Sequence, residues 1–229
     1  MKHLELETHK DYKKILNLQI EKDSVLDIVA KNSDKFFCPF SNKESYLHIY
    51  EGRDCTVQFF NLQECDYSKE LCKDGIQYIR YLMSVEKKLG NEKTYDYLKQ
   101  NYKKFVIEMN EENFIITDED PDIQSLIKNL ENMWGPICRT RIVKVPANTD
   151  MPYHKDETSK SNTRIISPLI TYKTIQNAFR NKKGEESFYH IPATGHFYTF
   201  DDVNVDHAVF NNSNIDRYAL IFTVINRII

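Results

Sequence analysis

From residue 139 to 225 the chain is cut into short segments of alternating or β-rich composition, separated by polar or glycine-bearing turns and without a helical period. Residues 139–145 alternate, 146–150 read as a turn, and 151–156 follow. Residues 164–171, 186–191, 196–200, 207–210 and 218–225 then read as further strands. Strands at this spacing favour antiparallel sheets closed into a jelly roll or barrel. Residues 172–184 interrupt the pattern. They are polar and weakly patterned, which predicts a mobile loop or an insertion near the mouth of the core.

The preceding sequence reads differently. In residues 9–31 the apolar positions Ile15, Leu16, Leu18, Val25, Leu26, Ile28 and Val29 fit a helical period in pieces, predicting one or two short helices. Residues 45–50 and 55–60 alternate about a turn at 51–54, a candidate hairpin whose Tyr46, Tyr50, Phe59 and Phe60 serve cross-strand packing or part of a substrate wall. Residues 68–105 are rich in helix formers, with Gly90 ending one helix before the next. Asp120 reads as an N-cap, Pro121 as the first helical residue, and Ile123, Leu126, Ile127, Leu130 and Met133 as one apolar face running to about Trp134. The expected organisation is one domain over 1–229, mainly β with flanking helices. Residues 1–138 form a helical and hairpin part packed on a core of 139–229.

A chain of 229 residues can bury most of its apolar surface without covalent staples. The five cysteines are odd in number and show no Cys-x-x-Cys spacing, which fits a reducing cytoplasm. A net charge of −3 with mixed signs argues against nucleic acid as a partner. No run approaches 18 apolar residues and the start lacks a signal-peptide core, so no membrane partner and no export are expected. A small molecule or a peptide is the expected partner.

The chemistry concentrates at His154 and Asp156, two apart and so on the same face of a strand. His207 follows 51 residues after Asp156. Two imidazoles and one carboxylate are the facial set of non-haem ferrous oxygenases, holding one ion and leaving positions open; zinc or manganese would accept the same ligands. Arg217 comes ten residues after His207, at the start of an apolar run, where a guanidinium can fork onto a carboxylate. The alternative for Arg217 is a surface ion pair beside Asp216. Arg164 is a second arginine on a strand, and His190 and His196 are competing histidines, His196 reading as a core or rim residue. Asn211 reads as a turn residue whose side chain caps backbone groups over 211–214.

Together, His154-x-Asp156, His207 and Arg217 resemble the 2-oxoglutarate-dependent ferrous oxygenases. More narrowly, residues 164–169, Gly195-x-x-Tyr198-x-Phe200, His207-x-Val209-x-Asn211 and Arg217-x-x-Leu220 resemble the aspartyl/asparaginyl β-hydroxylase branch, which includes free-proline hydroxylases. The resemblance covers roughly residues 139–226. Many members of that branch carry Arg-x-His where this chain has Arg164-Ile165-Ile166, so one polar contact to the co-substrate is missing. Some animal relatives lack the carboxylate ligand that this chain keeps as Asp156.

The resemblance implies a double-stranded β-helix, Fe(II) held by His154, Asp156 and His207, and 2-oxoglutarate and O2 as co-substrates. It implies that Arg217 holds the far carboxylate of 2-oxoglutarate. Arg164 is expected to hold a substrate carboxylate or assist the co-substrate, with Tyr198 and Ser167 completing the cofactor-binding set. The reaction implied is hydroxylation of a small amino acid, free or within a peptide. The competing class is a metal-dependent cupin without oxidative chemistry, an isomerase or a small-acid binding module, which has no reason to keep a cation at the Arg217 offset. A degenerate binding protein, the third class, is disfavoured by the complete triad.

Overall fold

Alternation decides which segments of the last third become strands, and register decides which way their side chains face. The computed structural model describes residues 4–36, 57–65, 83, 86–107, 114–116, 119–156, 162–200 and 204–225. In chain order the elements are β1 (Leu6–Thr8), β2 (Lys13–Gln19), α1 (Lys22–Lys31), a 3-10 turn (Ser33–Lys35), β3 (Gln58–Asn61), β4 (Glu64–Cys65), α2 (Glu92–Ile107), β5 (Phe114–Ile115) and α3 (Pro121–Trp134). There follow β6 (Ile137–Val145), β7 (Thr149–His154), β8 (Thr163–Ile170), β9 (Ile175–Arg180), β10 (Glu186–Tyr189), β11 (His196–Thr199), β12 (Asp206–Asn211) and β13 (Arg217–Val224).

The larger sheet runs β1-β2-β11-β8-β13-β6-β3 and the smaller β10-β9-β12-β7, with β4 and β5 as a separate pair. All the pairings are antiparallel. From β6 onward the chain passes repeatedly between the two sheets, so the core is a double-stranded β-helix, a cupin-like jelly roll. The fold is mainly β with flanking helices, as the sequence implies.

The outer face of the larger sheet carries the helices. Asp120 Oδ1 accepts from the Asp122 N–H at 2.9 Å, Pro121 opens α3, and Gly135, with φ +82°, ends it. Ile123, Leu126, Ile127, Leu130 and Trp134 of α3 and Val25, Ile28 and Val29 of α1 are buried in one cluster with Ile142, Ile165, Leu169, Leu220 and Phe222 of the sheet. The Trp134 ring meets Phe197 at 5.2 Å and Phe222 at 5.9 Å, both edge-on. The inner face carries a smaller cluster between the sheets, Val57, Phe59, Val143, Val145, Ile175 and Val209.

Two expectations are corrected. Residues 13–19 form β2, paired with β1 and β11, where a helix was predicted. The register shift opposite His196 and Phe197 explains the misreading. This irregularity lets Ile15 and Leu18, three apart, both bury in the outer cluster, and three is a helical spacing. Residues 175–180, expected within a loop, form β9 between β10 and β12. Its inward positions Ile175, Asn177 and Phe179 do alternate, but a buried polar Asn177 hides the period.

Tyr46 and Tyr50 lie outside the described residues, as do residues 68–82 of the expected helical stretch. Phe60 packs in the outer cluster and Phe59 in the inner one. Gly195 needs its glycine: its φ is +79° and a Cβ there would stand 2.7 Å from Ile20 O, at the junction of β11 with β2. Among the described residues no helix is long and apolar enough to cross a membrane.

Candidate metal centre

His154 ends β7, and His207, near the start of β12, is its register partner. Met151 pairs Val209 in the same ladder, so a bulge sets three residues of β7 against two of β12 and turns both Met151 and His154 to one side. The two imidazole rings lie 4.2 Å apart. Asp156 follows β7 and completes the group: His154 Nε2 is 3.9 Å from its Oδ1 and His207 Nε2 is 3.7 Å from its Oδ2. Across the three residues the ligand atoms lie within 4.8 Å of one another. Two atoms each roughly 2.1 Å from one ion are at most about 4.2 Å apart. The two carboxylate–imidazole separations are too long for hydrogen bonds and meet that limit.

The tautomers fit as well. His154 Nδ1 is 2.8 Å from Pro152 O and His207 Nδ1 is 3.3 Å from Val205 O. A ring nitrogen facing a carbonyl carries the proton, so the lone pair belongs to Nε2, the atom turned toward Asp156. Burial first, then the His154 ring, pushes His207 down to about 3, so it is neutral near pH 7. Burial works against the Asp156 charge. The Arg164 guanidinium, then His207, His154 and Arg141, outweigh it and hold the carboxyl well below the usual range. An ionised carboxylate beside two imidazoles whose Nε2 atoms turn toward it is the donor set a divalent ion of Fe(II) type takes.

Arg164 Nη1 stands 3.1 Å from Asp156 Oδ2. It is opposite Thr223 on β13, on the inner face of the larger sheet. Arg217, opposite Val145 on that same face, is 3 % exposed. Its Nη2 donates to Asn177 Oδ1 of the smaller sheet at 3.3 Å, so the guanidinium lies between the sheets. Its Nε is buried with no hydrogen-bond partner, and among the described residues no carboxylate pairs with it. Asp216 instead pairs with Lys144 at 3.0 Å and accepts from the Ala147 N–H. Burial lowers Arg217 to about 10, which leaves it charged at neutral pH.

Asn177 lies two residues from Phe179, the register partner of His207, which is roughly 7 Å along a strand. The Arg217–Asn177 contact is thus one step down the lumen from the imidazoles. Tyr198, opposite Ile166, faces the same space, and its buried hydroxyl and that of Thr223 lack hydrogen-bond partners. Ser167 stands opposite Leu220 on the helix-covered face and donates to His196 O at 3.1 Å. The structure therefore brings His154, Asp156, His207, Arg164, Arg217 and Tyr198 to the lumen and Ser167 to the other side of β8.

His196 is engaged at the rim by Gln19 and Thr194, and His190 lies 3.4 Å from Ile175 O. Asn211 donates to Val145 O, Pro146 O and Ile215 O and accepts from Ser213, the backbone-capping role its turn context suggests. Sequence reasoning missed Asn177, Phe200, whose ring meets His207 edge-on at 4.7 Å, and Arg141. Arg141 had a signal: it shares the parity of Val143 and Val145 in residues 139–145, so it faces inward with them.

No family model and no curated protein matches the chain in sequence. Among solved structures it is similar to a prolyl-4-hydroxylase from Pseudomonas putida, at 13% identity and a TM-score of 0.43 over 95% of this chain and 93% of that one. It is also similar to a 2OG-Fe(II) oxygenase family oxidoreductase from Burkholderia pseudomallei, at 13% identity and 0.41 over 51% of this chain, and spans 62% of that protein's length. A predicted oxalate decarboxylase from Thermotoga maritima gives 20% identity and 0.28 over 42% of this chain and 72% of that one.

Proposed function

We propose that this chain is an Fe(II)- and 2-oxoglutarate-dependent dioxygenase that hydroxylates a small amino acid, free or within a peptide. The observation that carries the reading is Arg217, a buried guanidinium with no carboxylate partner among the described residues, one step along the lumen from His154, Asp156 and His207. A buried charge without its counter-ion is costly, so such a group implies an anion supplied from outside. Its offset from the imidazoles suits a five-carbon diacid with one end at the metal and the other at the arginine. A cupin without oxidative chemistry leaves that cation unexplained.

In this reading His154, Asp156 and His207 hold the iron through Nε2, a carboxylate oxygen and Nε2. When bound, iron with 2-oxoglutarate supplies the redox chemistry with O2 that no side chain can perform. The chain's own residues bind, orient and seclude. Arg217 and Asn177, with the Tyr198 hydroxyl, hold the far carboxylate, and Arg164 fixes the Asp156 carboxylate. Phe200 and Phe179 flank His207 with apolar surface that keeps water from the ring. The odd number of cysteines and their lack of Cys-x-x-Cys spacing support a reducing cytoplasm, where iron stays ferrous.

The test is succinate release and O2 consumption on adding Fe(II) and 2-oxoglutarate, first without a prime substrate. Wild type turns over slowly. His207→Ala gives no turnover and binds Mn(II) at least roughly 100-fold more weakly, with its circular dichroism unchanged, since the jelly roll buries its core without the ion. A wild-type protein that binds Mn(II) but not 2-oxoglutarate sinks the oxygenase reading and leaves a metal-binding cupin.

A further inference from the structure

The turn between β1 and β2 reaches the lumen at the level of the metal centre. Asp11 Oδ2 accepts from Ser187 Oγ at 2.6 Å and from the Tyr189 hydroxyl at 2.7 Å. Both donors belong to β10, an edge strand of the smaller sheet, whereas Asp11 belongs to the edge hairpin of the larger one. Ser187 pairs Phe179, Phe179 pairs His207 and His207 pairs His154, so one row of the register runs from a partner of this carboxylate to both imidazoles. Residues in one row share a face, which puts Ser187 on the lumen side. At about 4.8 Å per strand it stands roughly 10 Å from His207.

The next residue brings aromatic surface to the same corner. Lys13 pairs Thr199, which sets Tyr12 beside Phe200, and the Tyr12 ring meets Tyr189 edge-on at 5.2 Å, Tyr198 at 6.0 Å and Phe179 at 6.4 Å. Asp11 is half-exposed, and among the described residues no cation pairs with it. Lys14, on the lumen face of β2, is answered by Glu7 at 3.9 Å instead. Both hydrogen bonds to Asp11 fall on Oδ2, so among the described residues Oδ1 has no hydrogen-bond partner. The bond to Asp11, then burial, pushes the Tyr189 hydroxyl up, which keeps it a donor.

Resting on the function proposed above, we infer that Asp11 is the cation-binding subsite for the prime substrate, which presents an ammonium or guanidinium to Oδ1. A single carboxylate already holding two hydroxyl donors is a poor site for a metal ion, which collects several oxygens. An organic cation needs one carboxylate and rests well beside aromatic rings. The separation from His207 puts that cation several bonds from the carbon oxidised at the metal, and a charged anchor there fixes which carbon stands before the ion. The N-terminal hairpin then contributes substrate recognition to a core that supplies the chemistry.

The cation has two chemical sources, the α-ammonium of a free amino acid and the basic side chain of a residue within a peptide. The experiment separates them. Protein loaded with Mn(II) and 2-oxoglutarate is titrated, by ligand-observed NMR and calorimetry, with free leucine, proline, lysine and arginine, with their N-acetyl derivatives, and with the Nα-acetyl methylamides of lysine, arginine and norleucine. The expected result is that at least one cationic probe binds while its neutral counterpart does not. Asp11→Asn, which keeps an oxygen to accept from Ser187 and Tyr189 and loses only the charge, should weaken that binding about 10- to 100-fold. The Ser187→Ala, Tyr189→Phe double variant removes both hydrogen bonds and keeps the charge, so its binding should stay within about threefold of wild type. Both proteins are first tested for uptake of Mn(II) and 2-oxoglutarate.

Binding of free amino acids but not of their N-acetyl forms assigns the subsite to an α-ammonium. Binding of the blocked lysine or arginine but not of blocked norleucine assigns it to a side chain. Equal binding of cationic and neutral probes, equal binding by wild type and Asp11→Asn, or no binding of any probe to the loaded wild type overturns the inference. So does a loss in the double variant as large as that in Asp11→Asn, or an Asp11→Asn protein that no longer takes up Mn(II) and 2-oxoglutarate, since either gives Asp11 a role in the fold alone. In all of these cases the Mn(II) and 2-oxoglutarate bound by wild type leave the oxygenase reading standing. Failure of wild type to take up 2-oxoglutarate breaks that reading instead.

Discussion

The two faces of the larger sheet are built from the same strands and do opposite things. On the outer face, Ile165, Leu169, Leu220 and Phe222 meet the helices in one buried apolar cluster. On the inner face, alternate residues of β8, β13 and β6 give Arg164, Arg217 and Arg141. A period of two thus lets one strand supply stability on one side and chemistry on the other. The outer face gains apolar burial. The inner face carries a cost, because Arg217 is buried without a counter-ion and hydroxyls of Tyr198 and Thr223 are buried without partners. Outer positions should therefore govern stability and inner ones ligand binding.

The largest break in that comparison comes from Phe222→Ala. The ring is fully buried against Trp134 and Phe197, so its removal should destabilise the fold by about 3–5 kcal/mol. Urea denaturation measures the loss. Mn(II) affinity of the fraction that remains folded should match wild type; a loss of affinity in step with stability would show that the two faces are not separable.

Arg217→Met tests the converse. Affinity for 2-oxoglutarate, by calorimetry on Mn(II)-loaded protein, should fall by roughly 30- to several-thousand-fold, the equivalent of breaking a secluded carboxylate–guanidinium pair at about 2–5 kcal/mol. The ligand-free variant should be no less stable than wild type, since methionine fills similar volume and removes a desolvated charge. Normal 2-oxoglutarate binding would give the anchoring role to another residue, and a clear loss of stability would mean that the inner face is structural after all.

How far the sequence revealed these faces depends on how each was written. The triad was legible because three residue types at fixed offsets are rare by chance, and α3 because its cap, its Pro121 and its apolar face agree. β9 was not legible, because its central inward residue is Asn177, a polar side chain whose reason to be inside is its bond to Arg217 on another sheet. The β2 strand was misread because a local irregularity gives Ile15 and Leu18 the spacing of a helix. Arg141 was passed over for a related reason: a charge of the same parity as two valines looks like a break in the pattern until the register of β6 with β3 and β13 sets it on their face. Ser167, expected with the cofactor-binding set, stands opposite Leu220 on the helix-covered face. Local patterns report the outer face well, and the inner face is written in pairings between distant strands.

Titration sharpens the comparison at a smaller scale. The unfolded chain takes a proton on His207 near pH 6.5, whereas the folded, ligand-free protein does so only at about 3. Between those values the unfolded state binds more protons, so stability falls as pH drops through the window and is fully present above it. For this one group the loss between pH 7 and pH 5 is about 2 kcal/mol. Denaturation of the metal-free protein at the two pH values should show it, and His207→Gln should reduce the slope. An equal slope in the variant would place the proton uptake elsewhere.

The smallest effect, and the finest discrimination within the inner face, concerns Arg164. Its Nη1 at 3.1 Å from Asp156 Oδ2 acts on a metal in two opposing ways. It orients the ligand, which favours binding, and it places a positive charge beside a cation, which opposes it. Arg164→Lys keeps the charge and loses the rigid fork, whereas Arg164→Met loses both. Removing an outer partner of a metal ligand typically costs 10- to 100-fold in affinity, and a residual ammonium should hold the carboxylate in part, so a loss of about threefold to tenfold is expected for lysine. Methionine loses the hold on the carboxylate as well as the charge, so the Mn(II) affinities should rank wild type first, then lysine, then methionine. If lysine matches wild type, charge alone sets the position of Asp156 and the fork has no role there. If methionine binds Mn(II) more tightly than wild type, repulsion outweighs orientation, and holding Asp156 is not what Arg164 contributes to the site.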